Sequence, residues 1–361
     1  QEANYGSTLD NNPVASATGE ASTSSTASSP SVCSKAYWAG LSHFNYLNLT
    51  FYIINVAITY ASLTGIFGPT NTALSAKYQT LVTPAGWAFS IWGPIFIWEG
   101  VFAVAQMLPA FRSHPIITDG ISYFWAALCV FQVAWSIAFA QEVIWLALVF
   151  MLSILACMVA ILYRNYSIAT TTFSEYYLIK AVFQLQCGWI VAASAVNTNV
   201  MFASALLVKD FVIDNSTVTD VVTAAGPDVA STLLGVAIVS LAAVFICGLK
   251  AASLEQPQII VVGVVAWALG AVASELRYGK SELQLVKAMF DTTVLHGVST
   301  AAATLSVTAA VTVGVLCAVE VYRQFVSNDA PRSSKSRTAT FSESLLVGSE
   351  AQLASSARPQ V

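Results

Sequence analysis

Two tryptophans inside long apolar runs, Trp92 and Trp189, are the residues whose chemistry most suggests a binding site. Gln132 lies in a third apolar run, and Asn197 follows Trp189 by eight residues. An indole ring stacks on flat π-systems and its N–H donates one directional hydrogen bond, and small-molecule pockets combine apolar walls with a few polar groups. These residue types favour a site for a hydrophobic, planar molecule. The alternative is that the tryptophans only anchor or pack membrane helices.

Glu99 and Lys180 also lie inside apolar runs, where an ionisable side chain is costly and indicates a function or a partner. At about 1.5 Å per helical residue, Glu99 lies roughly 12 Å from the inner face of a core about 30 Å thick, and Lys180 about 5 Å from it. A lysine side chain extends along its helix, so the sequence predicts an intramembrane charge pair. The alternative is a protonated Glu99 bonded to nearby backbone, with Lys180 directed towards the interface.

Catalytic and metal-binding patterns are missing from the sequence. It contains no G-x-S-x-G, P-loop, H-E-x-x-H or G-x-G-x-x-G motif. His43, His114 and His296 lie far apart without ligand spacing, and the net charge of -4 gives no reason to expect a nucleic acid partner. We therefore expect no metal site, no catalytic residues and no enzymatic activity.

Composition determines which elements must position these side chains. Of 361 residues, 56% are hydrophobic and only 9% are charged, and the mean hydropathy is +0.68. A soluble domain carries about 25% charged residues, so this chain cannot cover a water-facing surface. The sequence predicts an all-α, polytopic membrane protein in contact with lipid, because only helices and closed barrels satisfy their backbone in a bilayer.

Eight apolar runs have about the length that crosses the hydrocarbon, roughly 20 residues each. They are residues 47–67, 87–108, 120–140, 143–163, 177–207, 229–249, 257–276 and 296–322. Asn48 and Asn55 weaken the first run, and the last is Ala/Thr-rich. Polar, Ser-rich tails at 1–34 and 327–361 are expected to be disordered. The connection after the seventh run contains SELQLVKAMF, which could form a short amphipathic helix.

Lysine and arginine in the connections predict the orientation. One side collects Lys35, Arg112, Arg164, Lys250, Arg323, Arg332, Lys335 and Arg337; the other collects Lys77, Lys209, Arg277, Lys280 and Lys287. The first set is larger and includes the C-terminal tail, so both termini are expected on the cytoplasmic side. Small residues along the seventh and eighth runs favour close helix packing and could also support a homodimer.

The segment TPAGWAFSIWG at 83–93, together with later matches, resembles the tryptophan-rich TspO/MBR (translocator protein) family, closest to its bacterial TPAGYAFSIWG branch. The residues Phe131 to Ser136 resemble the family's third-helix Asn-x-x-Trp-Ser/Pro segment, with Gln132 in place of the asparagine. Trp189 and Asn197 match a tryptophan followed eight residues later by asparagine. The family's acidic residue in the fourth span is absent, and three further spans follow.

The resemblance implies a five-helix unit over 47–207 and an additional three-helix segment over 229–322. It also implies a pocket within spans one to five that accepts porphyrins, sterols or flat aromatic drugs. The predicted ligand-binding residues are Trp92, Trp189, Ala193, Gln132 and Asn197, with the two indoles facing each other across the pocket. Trp38 and Trp125 are expected to be interface anchors. No resident cofactor is expected beyond a porphyrin- or haem-type ligand. The alternative function is a secondary transporter of another solute, with Glu99 as its proton-coupled group.

Overall fold

The computed structural model describes residues 38–207, 218–279 and 284–329, and these contain helices but no strands. The α-helices are α1 His43–Ser62, α2 Asn71–Lys77, α3 Trp92–Ala105, α4 Phe124–Ala140, α5 Ile144–Tyr166, α6 Phe173–Glu175, α7 Val182–Leu207, α8 Val218–Ala252, α9 Ile259–Tyr278, α10 Gln284–Met289 and α11 Thr292–Asp329. The predicted all-α fold is therefore confirmed.

Each of the eight apolar runs contains a long helix. Six helical segments in the described residues are long and apolar enough to cross a membrane: Gly86–Ala105, Ile144–Tyr166, Phe173–Leu207, Ala225–Ala252, Ile259–Tyr278 and Thr292–Val326. The helix Phe124–Ala140 is apolar but shorter, and α1 carries the asparagines that weaken its hydropathy. The expected short helix after the seventh run is α10.

Local breaks in the helices have identifiable causes. Gly226 in α8 adopts φ +71°, a left-handed conformation that favours glycine, and Pro227 follows it, so the helix kinks there. A 3₁₀ helix, Gly86–Ile91, leads directly into α3, and π-helical turns occupy Ile116–Ile121 and Tyr176–Lys180. The predicted tail 1–34 lies outside the described residues, and so does the predicted tail 327–361 except for residues 327–329, which belong to helix α11 and are not a disordered tail.

Hydrogen bonds between connections show that successive helices run in alternating directions. At one end they join Arg164 to the Asp119 carbonyl at 2.6 Å and the Gln256 N–H to the Tyr166 hydroxyl at 3.2 Å. At the other end they join Tyr78 to Glu142 at 2.6 Å and the Leu285 N–H to Gln79 at 3.0 Å. The connections 106–123, 167–172 and 253–258 therefore share one end of the bundle, and those at 63–85, 141–143 and 284–291 share the other.

Helix α7 is central because it packs against α5 on one side and against α8 and α9 on the other. The two helices α7 and α9 lie close together at Gly188, where a Cβ would lie only 2.7 Å from the Cβ of Val264. Any larger residue would push the two helices apart. The helices beyond the predicted five-helix unit therefore pack directly against the helix that carries Trp189.

Trp125 is a core residue, so the prediction that it anchors the interface is wrong. Its side chain is 0% exposed and is among the largest fully buried side chains. Its ring meets Phe102 at a centroid distance of 4.9 Å and Phe183 at 5.9 Å, both edge to face. Helix α4 is apolar apart from Gln132 and Ser136, so its hydrophobic periodicity is weak and does not identify the face that carries Trp125.

Candidate ligand site

The segment 83–93 is fixed to α9 as well as to the start of α3. The Ala85 N–H donates to the Ala271 carbonyl at 3.1 Å, and the Trp267 indole N–H donates to the Ala88 carbonyl at 3.3 Å. The rings of Trp87 and Trp267 also meet edge to face at 4.7 Å. Helix α9 therefore positions the 3₁₀ helix that carries Phe89 and leads into Trp92, the first residue of α3.

Trp92 and Trp189 contact each other directly. Their centroids are 6.3 Å apart and their planes are nearly perpendicular, at 86°. Trp189 is 3% exposed, and Phe89 meets it edge to face at 5.7 Å. This edge-to-face geometry leaves no gap for a flat molecule between the two indoles, so the expectation that they face each other across the pocket is wrong. A ligand would instead contact this aromatic group from one side.

An inner chamber of about 650 Å³, counting the part that opens outwards, lies beside these rings. Four of the five predicted residues line it: Trp92, Trp189, Ala193 and Asn197. Helices α8 and α9 supply a further wall, formed by Leu241, Val244, Ala268, Leu269 and Val272. The expectation that spans one to five alone form the pocket is therefore wrong.

An outer chamber of about 1150 Å³, again partly open, lies beneath the connection between α1 and α3. Gln132, the fifth predicted residue, lines this chamber and not the inner one. Pro84, Phe89, Trp92 and Trp135 line both chambers. The sequence analysis did not assign Trp135 to the site, although it lies in the same motif as Gln132, one helical turn away.

Some polar groups of the inner chamber already have hydrogen-bond partners within the protein, and others do not. Asn197 accepts a hydrogen bond from the Trp135 indole at 3.0 Å and donates one to the Ala193 carbonyl at 2.9 Å. Its amide therefore orients Trp135. The indole N–H of Trp189 is buried and makes no hydrogen bond in the described part of the chain. A buried donor without a partner costs free energy, so it is the group a ligand acceptor would satisfy.

Glu99 and Lys180 do not form the predicted charge pair in this structure. The Lys180 ammonium donates to the Ile168 carbonyl at 2.7 Å. Glu99 is 1% exposed, and both its carboxylate oxygens make no hydrogen bond to the described residues. The Trp125 indole N–H lies near this carboxyl, but no hydrogen bond of normal geometry joins the two groups. Similar depths in the membrane do not bring Glu99 and Lys180 together, because two side chains at similar depths can project from different sides of their helices.

The long apolar helices and the apolar chamber between them define a polytopic α-helical membrane protein with a cavity that is partly open. A family model described as TSPO-like protein matches residues 45–315, and the chain belongs to this family. The resemblance is thus confirmed at the level of the family, while the bacterial branch stays a prediction. No curated protein and no solved structure matches the chain.

The family match extends well beyond the predicted five-helix unit. It begins within α1 and ends within α11, so it includes the helices that wall the inner chamber. Members of the TSPO-like family are in general not classical enzymes. In the described residues, no group of three or more His, Cys, Asp or Glu side chains could hold a metal ion.

Proposed function

We propose that this protein binds a hydrophobic, planar ligand, such as a tetrapyrrole or a sterol, in the inner chamber, and that it transports or senses this ligand. The observation that carries the proposal is the convergence of Trp92, Trp135 and Trp189 on one apolar cavity. The chamber combines apolar walls with a few polar groups, as small-molecule sites do. Aromatic contact adds on the order of 1 kcal/mol to the burial of apolar area.

Recognition would combine contact with the ring faces and one directional hydrogen bond. The unpartnered Trp189 N–H supplies the donor, and Ala193 leaves room because its side chain is small. Asn197 contributes indirectly, since its amide holds the Trp135 indole. Gln132 would contact the part of the ligand that extends into the outer chamber.

Binding to the purified full-length chain in lipid nanodiscs, measured by quenching of tryptophan fluorescence, tests this proposal. The double variant Trp92→Phe, Trp189→Phe keeps aromatic rings but removes both indole N–H groups, and it should bind a neutral sterol or porphyrin at least about tenfold more weakly. Trp145→Phe is the matched control, because Trp145 is 59% exposed and lines neither chamber. Equal affinity in the double variant and the control would reject the site.

A secondary transporter with Glu99 as its proton-coupled group is the second candidate function. The buried carboxyl without a hydrogen-bond partner favours it, because intramembrane acids of this kind mark proton relays. Glu99→Gln should then abolish proton-coupled solute flux in liposomes and leave ligand binding unchanged. Unchanged flux in this variant would remove the candidate.

We also propose that the protein forms a homodimer in lipid. The segment Thr292–Val326 is apolar and only 11% buried within the chain, so its outward surface contacts lipid or a second copy. The molecular mass of the protein in nanodiscs, determined by light scattering, distinguishes a dimer from a monomer.

A further inference from the structure

Buried polar atoms from three helices lie together around Glu99. Both carboxylate oxygens of Glu99 on α3, the amide nitrogen of Asn55 on α1 and the indole nitrogen of Trp125 on α4 make no hydrogen bond within the described residues. The Cys129 thiol interacts with Glu99 and with Asn55, and the Trp125 N–H lies near Glu99. A buried water usually bonds to about three such groups, so this cluster is suited to hold internal water.

The titratable side chains that interact with Glu99 are uncharged at neutral pH. They are the Tyr52 hydroxyl of α1 and the Cys129 thiol of α4. Lys180 belongs to the π-helical turn that packs against α3, but its ammonium donates to the Ile168 carbonyl at 2.7 Å. In the part of the chain that the structure describes, no ion pair holds Glu99 in its charged form, so the carboxyl can gain or lose a proton wherever water reaches it.

Towards the outer chamber, each of the three helices has a chamber-lining residue one turn beyond the cluster. Thr59, Gln132 and Phe96 lie about 5.4 Å along their own helices from the cluster, and all three line the outer chamber. The Thr59 hydroxyl also makes a long hydrogen bond, at 3.4 Å, to the Asn55 amide oxygen. Since Thr59 and Gln132 are polar, they offer hydrogen bonds to water between the outer chamber and Glu99.

In the opposite direction, an aromatic layer separates Glu99 from the end of the bundle that carries 106–123. Phe102 lies one turn from Glu99 in this direction, and its ring meets those of Trp125 and Phe183 at 4.9 Å and 5.1 Å. All three side chains are 0% exposed. The faces of these rings offer no hydrogen bond to water, so the layer is a barrier to the movement of a proton.

We infer that Glu99 binds internal water together with Asn55 and Trp125, and that it exchanges its proton with the outer chamber and not with the end that carries 106–123. The inference deepens the transporter candidate, on which its functional meaning rests, because it gives the route by which a proton would reach Glu99. Proton exchange can be measured without a solute, so its outcome is separate from that of the flux measurement.

Exchange of hydrogen for deuterium on the Glu99 carboxyl tests the route. The full-length chain in nanodiscs, in buffer acidic enough to protonate Glu99, should show an infrared carbonyl band that Glu99→Gln removes and that shifts in deuterated water. Thr59→Val keeps the shape of the side chain but removes the hydroxyl next to Asn55, so exchange should slow several-fold. Thr50→Val is the matched control, because Thr50 is an exposed residue of the same helix and lines neither chamber. Equal exchange rates in the two variants, or the absence of such a band, would overturn the inference.

Proteoliposomes that hold the full-length chain in one orientation test the direction of exchange. An acid jump in the medium that faces the outer chamber should increase the Glu99 band several-fold faster than the same jump on the other side, and a protonophore should remove the difference. Equal rates from the two sides, or a faster response from the side of 106–123, would overturn the inference.

The flux measurement on Glu99→Gln separates this inference from the transporter candidate. If exchange has the expected direction but the variant leaves solute flux unchanged, the inference stands and the transporter candidate fails. If the variant abolishes flux but exchange is equally fast from both sides, the candidate stands and the inference is rejected.

Discussion

Glu99 is a carboxylic acid that the bundle buries without giving it a counter-charge. Both of its oxygens, and the Trp125 N–H near it, lack hydrogen-bond partners in the described residues. Asn55 of α1 adds a buried amide nitrogen that also lacks one. Such groups are rare in folded proteins and are usually satisfied by water or retained for a function. A substitution of Glu99 can therefore distinguish the two proposed functions, because proton-coupled transport would depend on this carboxyl and ligand binding would not.

Glu142 shows the opposite situation, a carboxylate held by two donors. It adopts φ +57°, which is uncommon for a residue other than glycine, and it accepts hydrogen bonds from Lys77 and Tyr78. Burial raises the pKa of Glu142, but these hydrogen bonds and the Lys77 charge outweigh it and hold the pKa below its usual value. The contacts fasten α2, and with it one wall of the outer chamber, to the turn between α4 and α5.

We expect Glu142→Gln to lower thermal stability at neutral pH and to have little effect in acid. Since folding lowers the pKa of Glu142, its contribution is present above the ordinary glutamate pKa of about 4.3 and is lost as pH falls through the lower folded value. The side chains are about one-third exposed, so the effect should stay within about 1 kcal/mol.

Melting of both proteins from pH 7 to pH 3 measures this difference. Glu320→Gln serves as the control, because Glu320 and Arg323 form a more exposed ion pair with a distance of 3.9 Å. A stability difference between Glu142→Gln and the original protein that persists unchanged in acid would contradict the assignment.

At the scale of elements, α9 acts as the support of the segment 83–93. Trp267 donates to the Ala88 carbonyl and packs against Trp87, and the next residues of this segment line the cavity. Trp267→Phe keeps a ring but removes the donor, so we expect it to cost on the order of 1 kcal/mol of stability. Ligand affinity should fall several-fold because Phe89 and Trp92 are held less firmly.

Trp145→Phe again supplies the control for Trp267→Phe, because it makes the same chemical change on α5, outside both chambers. Calorimetry or fluorescence titration gives the affinity, and the melting temperature gives the stability. If Trp267→Phe and Trp145→Phe behave alike in both measurements, α9 does not position the binding segment.

The sequence predicted the helices well because a membrane-length apolar run can satisfy its backbone only as a helix or in a closed barrel. Four residues that the family resemblance predicted to bind a ligand line one chamber, and the spacing of Trp189, Ala193 and Asn197 at intervals of four explains why these three share one helical face. The rotation of each helix about its axis was not predictable. A helix that is apolar at all but two positions, such as α4, carries little periodic signal, which is why the burial of Trp125 was missed.

The Glu99–Lys180 prediction failed for a related reason. Lys180 ends a π-helical turn, Tyr176–Lys180, which alters the rotational position of the side chains relative to a regular α-helix. Its ammonium bonds the Ile168 carbonyl in the preceding connection. A depth calculation based on α-helical rise contains no information about such a turn or about which neighbour the side chain meets.

At the scale of the whole molecule, a single chain supplies all the residues that line the inner chamber. Helices from both the predicted five-helix unit and the three-helix segment line the inner chamber, and the family match includes both. A truncated chain that ends after α7 would therefore lack the wall formed by α8 and α9. The proposed homodimer is consequently not needed to close the cavity, and any partner copy would bind on the outer surface.

Orientation in the membrane is the last property that the whole chain determines. Among the described residues, Arg112, Arg164, Lys250 and Arg323 lie near the end that carries 106–123 and 253–258, and Lys77, Arg277 and Lys287 lie near the other end. Positively charged connections stay in the cytoplasm, so we expect the first of these ends, with both termini, to be cytoplasmic. Single cysteines at Ala76 and Ser113, in a background without native cysteines, mark exposed positions at the two ends.

An impermeant maleimide applied to intact cells that carry the protein in their plasma membrane should label Ala76→Cys, and Ser113→Cys only after permeabilisation. The difference before permeabilisation should be at least about tenfold, because the basic residues fix the orientation during insertion. The reverse pattern would show that the protein has the opposite orientation, in which the end that carries Ala76 faces the cytoplasm. Labelling of both positions in intact cells would show that the two ends do not lie on opposite sides, and the membrane arrangement of the helices would have to be revised.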